Sequence, residues 1–106
     1  MKTWRVEVVP GVEQRLIEIL SYIHDAPLHN PDAAKAIFED FEATIAAITL
    51  LGDRVPIGAH PIMRKRGLRR VNFRKHRFYV VYRVQDDVAQ VIRVAHFLED
   101  PNRVLE

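Results

Sequence analysis

Residues 54–85 contain ten Lys and Arg residues and not one Asp or Glu. The rest of the chain is acidic: residues 1–53 hold four basic and nine acidic residues, and residues 86–106 hold two and five. The formal net charge of +2 therefore conceals a strong asymmetry. Phosphate groups and acidic peptides are common partners of such a concentration of cations, so this stretch predicts an anion-binding surface. The structural alternative is a solvated face whose cations pair with carboxylates on the helices.

Charge-assisted hydrogen bonds from this stretch could hold a nucleic acid or an acidic peptide. The candidate anion-binding residues are Arg64, Lys65, Arg66, Arg69, Arg70, Arg74, Lys75 and Arg77.

RNA cleavage without a metal is the second chemistry that these residue types allow. It needs a base to activate the 2′-hydroxyl, cations to stabilise the phosphorane and an acid for the leaving oxygen. The candidate catalytic residues are Arg77, Arg83 and Arg93 as cations, and His96 as acid or base. Arg83 and Arg93 could equally snorkel from a half-buried surface, and His96 could be a packing residue. The basic stretch lacks the carboxylate that such a site would need as a partner.

Other site chemistries find little support in the composition. The chain has no cysteine, and none of its five histidines pairs with another at a helical i, i+4 spacing beside an acid, so we predict no metal. The only serine, Ser21, lies in no nucleophile motif, and the four glycines form no phosphate-binding loop, so we predict no cofactor. No apolar stretch is long enough to span a membrane. The absence of cysteine favours the cytoplasm.

Hydrophobic periodicity predicts the elements that must position these residues. Alternation from Trp4 predicts a strand that ends at Pro10-Gly11, and a stripe from Val12 to Ile23 predicts a helix ending near residues 24–27. Asn30-Pro31 predicts the start of a second helix, which Gly52 can end. Glu39, Asp40 and Glu42 are predicted to lie outside its apolar face. The remaining predicted elements are a long loop at residues 53–67, strands at 68–73, 77–84 and 88–97, and a helical turn after Pro101. Alternation in the last strand predicts Ile92, Val94 and His96 on one face.

This order predicts an α+β fold, β-α-α-β-β-β, in a single domain spanning residues 1–106. Short turns between the last three strands predict a small, mainly antiparallel sheet. The helical hairpin should cover one sheet face, and the other face can remain partly open for binding.

Four stretches resemble the RelE/ParE superfamily of toxins from bacterial toxin–antitoxin modules. WRVEVVPGVEQRLIEILSYI is similar to the opening strand and first helix, and NPDAAKAIFEDFEATIAAI is similar to the second helix. GLRRVNFRKHRFYVVYRVQDD resembles the central hairpin, and VAQVIRVAHFLEDPNRVL resembles the final strand. The likeness covers nearly the whole chain, and the phrase IRVAHFLED is closer to the ParE-like ending.

The resemblance implies a cytoplasmic toxin of a type II, plasmid-stabilising module, neutralised by an acidic, partly disordered antitoxin. ParE-like members inhibit DNA gyrase, which is the favoured function. The alternative is a RelE-like or YoeB-like endoribonuclease that cuts mRNA on the ribosome. In that case the hairpin arginine matches Arg77 and the late histidine matches His96, whereas the tyrosine that follows in YoeB-like toxins is Phe97 here. A third reading is an inactive relative that acts as a binding partner or co-repressor. The implied assembly is a homodimer or a toxin–antitoxin hetero-oligomer.

Overall fold

The chain forms a strand and two long helices before three further strands complete a sheet. The computed structural model describes residues 1–25 and 29–105. The elements are β1 (Arg5–Val8), α1 (Pro10–His24), α2 (Pro31–Leu51), a short 3₁₀ helix (Gly52–Arg54), α3 (Pro61–Arg66), β2 (Arg69–Asn72), β3 (Phe78–Gln85), β4 (Val88–His96) and α4 (Pro101–Val104). The α+β class and the β-α-α-β-β-β order are as predicted. Helix α1 ends within the predicted range, of which Ala26 and Pro27 lie outside the described residues.

The four strands form one mixed sheet in the order β1-β4-β3-β2. Strands β2, β3 and β4 pair antiparallel through two hairpins, whereas β1 lies parallel to β4. Parallel neighbours need a long crossover connection, and the α1–α2 hairpin supplies it. The prediction of a mainly antiparallel sheet is confirmed.

The helical hairpin covers one face of this sheet and forms the main core. Helix α2 begins where predicted, because the side-chain oxygen of Asn30 accepts a hydrogen bond from the backbone N–H of Ala33 at 3.0 Å. The apolar stripes of both helices pack on the residues of β3 and β4 that face the hairpin. The core includes Val12, Leu16, Ile37, Phe41, Ile48, Val80, Tyr82, Val91 and Val94.

The opposite sheet face carries a second, smaller core, so the prediction of a partly open face is wrong over this area. Met63 of α3 and Leu105, just after α4, pack there against Tyr79 and Val81 of β3. The predicted loop at residues 53–67 is likewise wrong where α3 forms. A helix of six residues is too short to display a periodic stripe. Its boundary signals, Pro61 at the first position and left-handed Gly67 after the last, resemble those of a loop.

A β-bulge in β4 changes which residues share a face. Val81 pairs with Arg93 but Tyr82 pairs with Val91, which leaves Ile92 as an extra residue. Ile92 therefore joins the smaller core, while Val91 joins the main one. Strict alternation had predicted Ile92 with Val94 and His96 on one face, and this prediction is wrong because alternation cannot register an inserted residue.

The end of α2 is locked to the sheet at a closely packed junction. The Tyr82 hydroxyl donates a hydrogen bond to the carbonyl oxygen of Gly52 at 2.7 Å, and the Trp4 ring lies directly over Gly52. All three residues are buried. Burial raises the pKa of Tyr82 to about 12.

Replacing Tyr82 with phenylalanine should lower the free energy of unfolding by about 1–2 kcal/mol, because a buried carbonyl loses its donor. Urea denaturation at pH 7 measures this change. The wild-type protein should also lose stability between pH 10 and pH 12, since the unfolded phenol ionises near 10.0 whereas the folded phenol stays protonated to about 12. The phenylalanine variant should lose less stability over that interval, and equal losses in the two proteins would contradict this account.

Candidate functional site

The connection between β2 and β3, residues 73–77, is named here the basic turn. Three of its cations, Arg74, Lys75 and Arg77, are exposed. None of the three side chains makes a salt bridge or hydrogen bond with any residue of the described part of the chain. Their charge is thus available to an external anion.

A buried carboxylate of α2 holds the backbone of the basic turn. Asp40 accepts hydrogen bonds from the backbone N–H groups of Arg74 (3.0 Å) and Lys75 (2.9 Å), and from Nδ1 of His76 (2.8 Å). Asp40 is only 6% exposed, although the sequence predicted it outside the apolar face of α2. Asp40 is thus a carboxylate beside the basic stretch, which has none of its own, and it comes from α2. It binds the backbone of the basic turn and His76, not the side chains of Arg74, Lys75 and Arg77.

The protonation of Asp40 is set by two opposed effects. Burial alone would raise the pKa of this carboxyl group, but the hydrogen bonds from His76, Lys75 and Arg74 outweigh it, and the pKa is lowered. The carboxylate therefore stays ionised and retains its three contacts at neutral pH. The turn is further fixed by the buried ring of Phe73, which packs 6.2 Å from the ring of Phe41 between centroids.

Arg70 stacks on aromatic rings beside the basic turn. Its guanidinium carbon lies 3.7 Å from the ring centroid of Tyr79 and 5.1 Å from that of Phe97, and its Nε donates to the side-chain oxygen of Asn72 at 2.8 Å. Burial raises the pKa of Tyr79. Arg70 thus presents its charge from a fixed position at the edge of the second sheet face.

Two other candidate anion-binding residues hold main-chain segments. Arg66 donates to the carbonyl oxygen of Leu105 at 2.6 Å and ties α3 to the end of the described chain. Arg69 donates to the carbonyl oxygens of Asp53 (3.1 Å) and Val55, and fixes the connection after α2. Both guanidinium groups are therefore engaged within the fold.

Arg64 and Lys65 lie exposed on α3, in the segment that leads into β2, whereas the basic turn follows the other end of that strand. No side-chain partner for either is present among residues 1–25 and 29–105. The free cations accordingly form two groups at opposite ends of β2.

The four candidate catalytic residues do not surround one point. Arg77 lies next to the end of β4, because its carbonyl oxygen accepts from the backbone N–H of Phe97 at 3.0 Å. Arg83 lies in β3, where it pairs with Gln90. It is six residues after Arg77, which directly precedes β3, and thus roughly 20 Å away at the usual rise per residue. Its Nε donates to the Gln90 side chain at 2.8 Å.

Arg93 and His96 lie on opposite faces of the sheet. Arg93 pairs with Val81 on the second face and donates to the carbonyl oxygens of Val104 (2.8 Å) and Ile92 (2.7 Å). His96 lies on the helical face, with its ring edge-on to Phe78 at 5.0 Å between centroids. Its Nδ1 accepts from the backbone N–H of Leu98 at 3.0 Å, which leaves only Nε2 for proton transfer.

Two acidic residues with structural control over this region were missed by sequence reasoning. Asp40 holds the basic turn, and Glu99 accepts from the backbone N–H of His96 (3.1 Å) and from Arg15 (3.0 Å). Asp40 contacts a turn that is distant in the sequence, and Glu99 contacts both the distant Arg15 and the backbone of its own turn. No local sequence pattern indicates such contacts.

Neither a metal centre nor a membrane span is found in the part of the chain that the structure describes. Residues 1–25 and 29–105 contain no group of three or more His, Asp or Glu side chains that could hold a metal ion. No helix within these ranges is long and apolar enough to cross a bilayer.

Comparison with known proteins agrees with the fold. No family model matches the chain. Toxin ParE2 of Mycobacterium tuberculosis, in strains CDC 1551 / Oshkosh and ATCC 25618 / H37Rv, is 32% identical over 102 residues, which covers 96% of this chain and 90% of the relative. A chain of the chromosomal ParDE TA system from P. aeruginosa superposes with a TM-score of 0.70 at 14% identity, over 89% of this chain and 96% of that chain. Because the similarity to Toxin ParE2 spans nearly the whole sequence, the chain belongs to the ParE family of toxins, within the RelE/ParE superfamily.

Proposed function

We propose that this protein is the toxin of a type II toxin–antitoxin module, that it inhibits DNA gyrase, and that a cognate antitoxin neutralises it. The observation that carries the proposal is the basic turn. Asp40 holds its backbone by hydrogen bonds, and no carboxylate among the described residues pairs with the side chains of Arg74, Lys75 and Arg77. A fixed cluster of cations suits recognition of an acidic protein surface, because a preorganised cluster loses little entropy on binding.

An acidic, partly disordered antitoxin segment is the partner that this surface suggests for neutralisation. Such a segment can fold on binding and place its carboxylates against the free cations. The relation to a ParDE toxin–antitoxin structure supports an antitoxin partner. The cytoplasm is the compartment of this proposal, since DNA gyrase acts there.

The spread of the candidate catalytic residues favours binding over RNA cleavage. Arg83 lies far along β3 from Arg77, and Arg93 occupies the face opposite His96. A phosphorane needs its cations and its acid–base pair within hydrogen-bonding reach of one phosphate. Arg77 and His96 are the only two of the four that the fold brings to one end of the sheet.

Incubating purified toxin with DNA gyrase, ATP and relaxed plasmid tests the proposal. We expect dose-dependent loss of supercoiling or accumulation of linear DNA from a trapped cleavage complex. Toxin mixed beforehand with an equimolar amount of the antitoxin encoded beside it is the matched control and should restore supercoiling.

The same preparation added to a translating extract tests the alternative functions. Primer extension across the message should show no new ends at codon-phased positions. Unchanged supercoiling together with codon-phased cuts would replace gyrase inhibition by ribosome-dependent RNA cleavage. Activity in neither assay, with intact antitoxin binding, would indicate an inactive binding partner or co-repressor.

A further inference from the structure

The turn after β4 presents an exposed leucine on a rigid backbone. Leu98 is 87% exposed and Phe97, its neighbour, is 42% exposed. An isolated apolar side chain on a protein surface needs no explanation by itself. The turn that carries Leu98 needs an explanation, because several hydrogen bonds fix its conformation.

Four hydrogen bonds hold this turn. The backbone N–H of Leu98 donates to Nδ1 of His96 (3.0 Å), and that of Glu99 donates to the His96 carbonyl oxygen (3.0 Å). The Glu99 carboxylate accepts from the backbone N–H of His96 (3.1 Å) and also from Arg15 of α1 (3.0 Å). These bonds order the backbone that carries Leu98, so this backbone loses little conformational freedom when a partner covers it.

The surroundings of Phe97, the residue before Leu98, combine aromatic surface with positive charge. Phe97 contacts the guanidinium of Arg70 and lies 6.1 Å from the buried ring of Tyr79 between centroids. Its backbone N–H donates to the carbonyl oxygen of Arg77, the last cation of the basic turn. Arg and aromatic residues around an apolar anchor are typical of the centre of a protein–protein interface.

We infer that Leu98 and Phe97, bordered by Arg70 and Arg77, form an anchor that inserts into an apolar pocket of an acidic protein partner. This inference rests on the proposed function, in which that partner is the gyrase target. A protein fits better than a nucleic acid, because Tyr79 is only 4% exposed and Arg70 covers its ring, so it offers no free face on which a base could stack. The adjoining positive charges of Arg70 and Arg77 favour acidic groups around the pocket.

Replacing Leu98 with alanine tests the anchor, and Leu50→Ala is the matched control. Leu50 is 51% exposed near the end of α2, so both substitutions remove the same atoms from an exposed leucine. We expect Leu98→Ala to raise the toxin concentration for half-inhibition of gyrase at least about 10-fold, the scale of an interface anchor. Leu50→Ala should leave that concentration within about twofold, and Leu98→Met, which keeps an apolar side chain of similar volume, should restore inhibition. Thermal unfolding should show unchanged stability for all three variants.

Two further measurements decide between explanations. Binding of a short DNA duplex should be the same for wild type and Leu98→Ala; a parallel loss of duplex binding would overturn the inference in favour of nucleic-acid contact. Inhibition by Leu98→Ala equal to that of wild type would overturn the anchor itself. If wild type does not inhibit gyrase, the proposed function fails separately, and growth arrest by induced wild type, Leu98→Ala and Leu50→Ala then tests the anchor without assuming a target. Equal growth arrest by all three would overturn it.

Discussion

Replacing Asp40 with alanine should lower the free energy of unfolding by about 3–5 kcal/mol. The substitution removes the acceptor for two backbone N–H groups and for His76, at a site that is 6% exposed. Those donors would remain partly buried without a partner, and the cations Arg74, Lys75 and Arg77 would lose the carboxylate that holds their turn. Urea denaturation monitored by the fluorescence of Trp4 measures the change.

Asp40→Asn separates positioning from charge. This variant makes the protein more positive by one charge, so electrostatics alone predicts tighter binding of an anion. If Asp40 instead positions the basic turn, binding of a short DNA duplex, used here as a polyanionic probe, should weaken, and its dependence on salt concentration should become shallower because fewer cations engage together. Measurements are made where unfolding curves show both proteins folded. Tighter binding with an unchanged salt dependence would contradict the positioning role.

The lowered pKa of Asp40 predicts the pH range in which its contribution disappears. A carboxyl group whose pKa is lower in the folded state stabilises the fold above its unfolded pKa, and this stability is lost as the pH falls through the folded pKa. The ordinary value is 3.8, so wild type should lose the contribution below about pH 4. Asp40→Asn should show a smaller loss of stability between pH 5 and pH 2. The same loss in both proteins would mean that other carboxyl groups dominate acid unfolding.

Replacing Gly52 with alanine should destabilise the fold by about 3 kcal/mol, from two causes. A Cβ atom at this position would lie 2.1 Å from Cδ2 of the buried Trp4 ring, and the backbone φ of +40° is unfavourable for residues with a side chain. The Trp4 ring cannot retreat freely, because it is itself 3% exposed. Chemical denaturation of the variant gives the total cost.

Two other glycines provide controls for the separate causes. Gly67 has φ +65° but open space around its Cβ position, so Gly67→Ala should cost only about 1–2 kcal/mol, which reports the backbone term. Gly11 lies in α1 without a positive φ or a nearby atom, so Gly11→Ala should be neutral or stabilising. A cost at Gly52 no greater than that at Gly67 would show that the packing against Trp4 can relax.

Local patterns predicted the elements that depend on neighbouring residues. Asn30-Pro31 indicated the start of α2 because an N-cap is a contact within one helical turn. The hairpins followed from short turns between alternating segments. Helix α3 and the bulge at Ile92 were missed, since the first is shorter than two helical turns and the second is visible only in the pairing with β3.

The site was predicted less completely than the fold, because its organisation depends on long-range contacts. The positive charge of residues 54–85 was evident from composition, but composition could not show which of its cations are engaged within the fold and which are free. Arg66 and Arg69 bind main-chain carbonyls, and Arg70 stacks on Tyr79. The side chains without such contacts among the described residues are those of Arg64, Lys65, Arg74, Lys75 and Arg77. Asp40 was assigned to the solvent face of α2, since nothing in the helix itself indicates that a turn 34 residues away would cover it.

The central claim is that the free cations of the basic turn form the working surface, and two charge reversals test it directly. Arg77→Glu and Arg83→Glu make the same charge change, the first directly before β3 and the second near the far end of that strand, outside the basic turn. The measurement is the toxin concentration that half-inhibits DNA gyrase. We predict an increase of at least about tenfold for Arg77→Glu and less than about twofold for Arg83→Glu. Equal effects of the two reversals, or a larger effect at Arg83, would contradict the account.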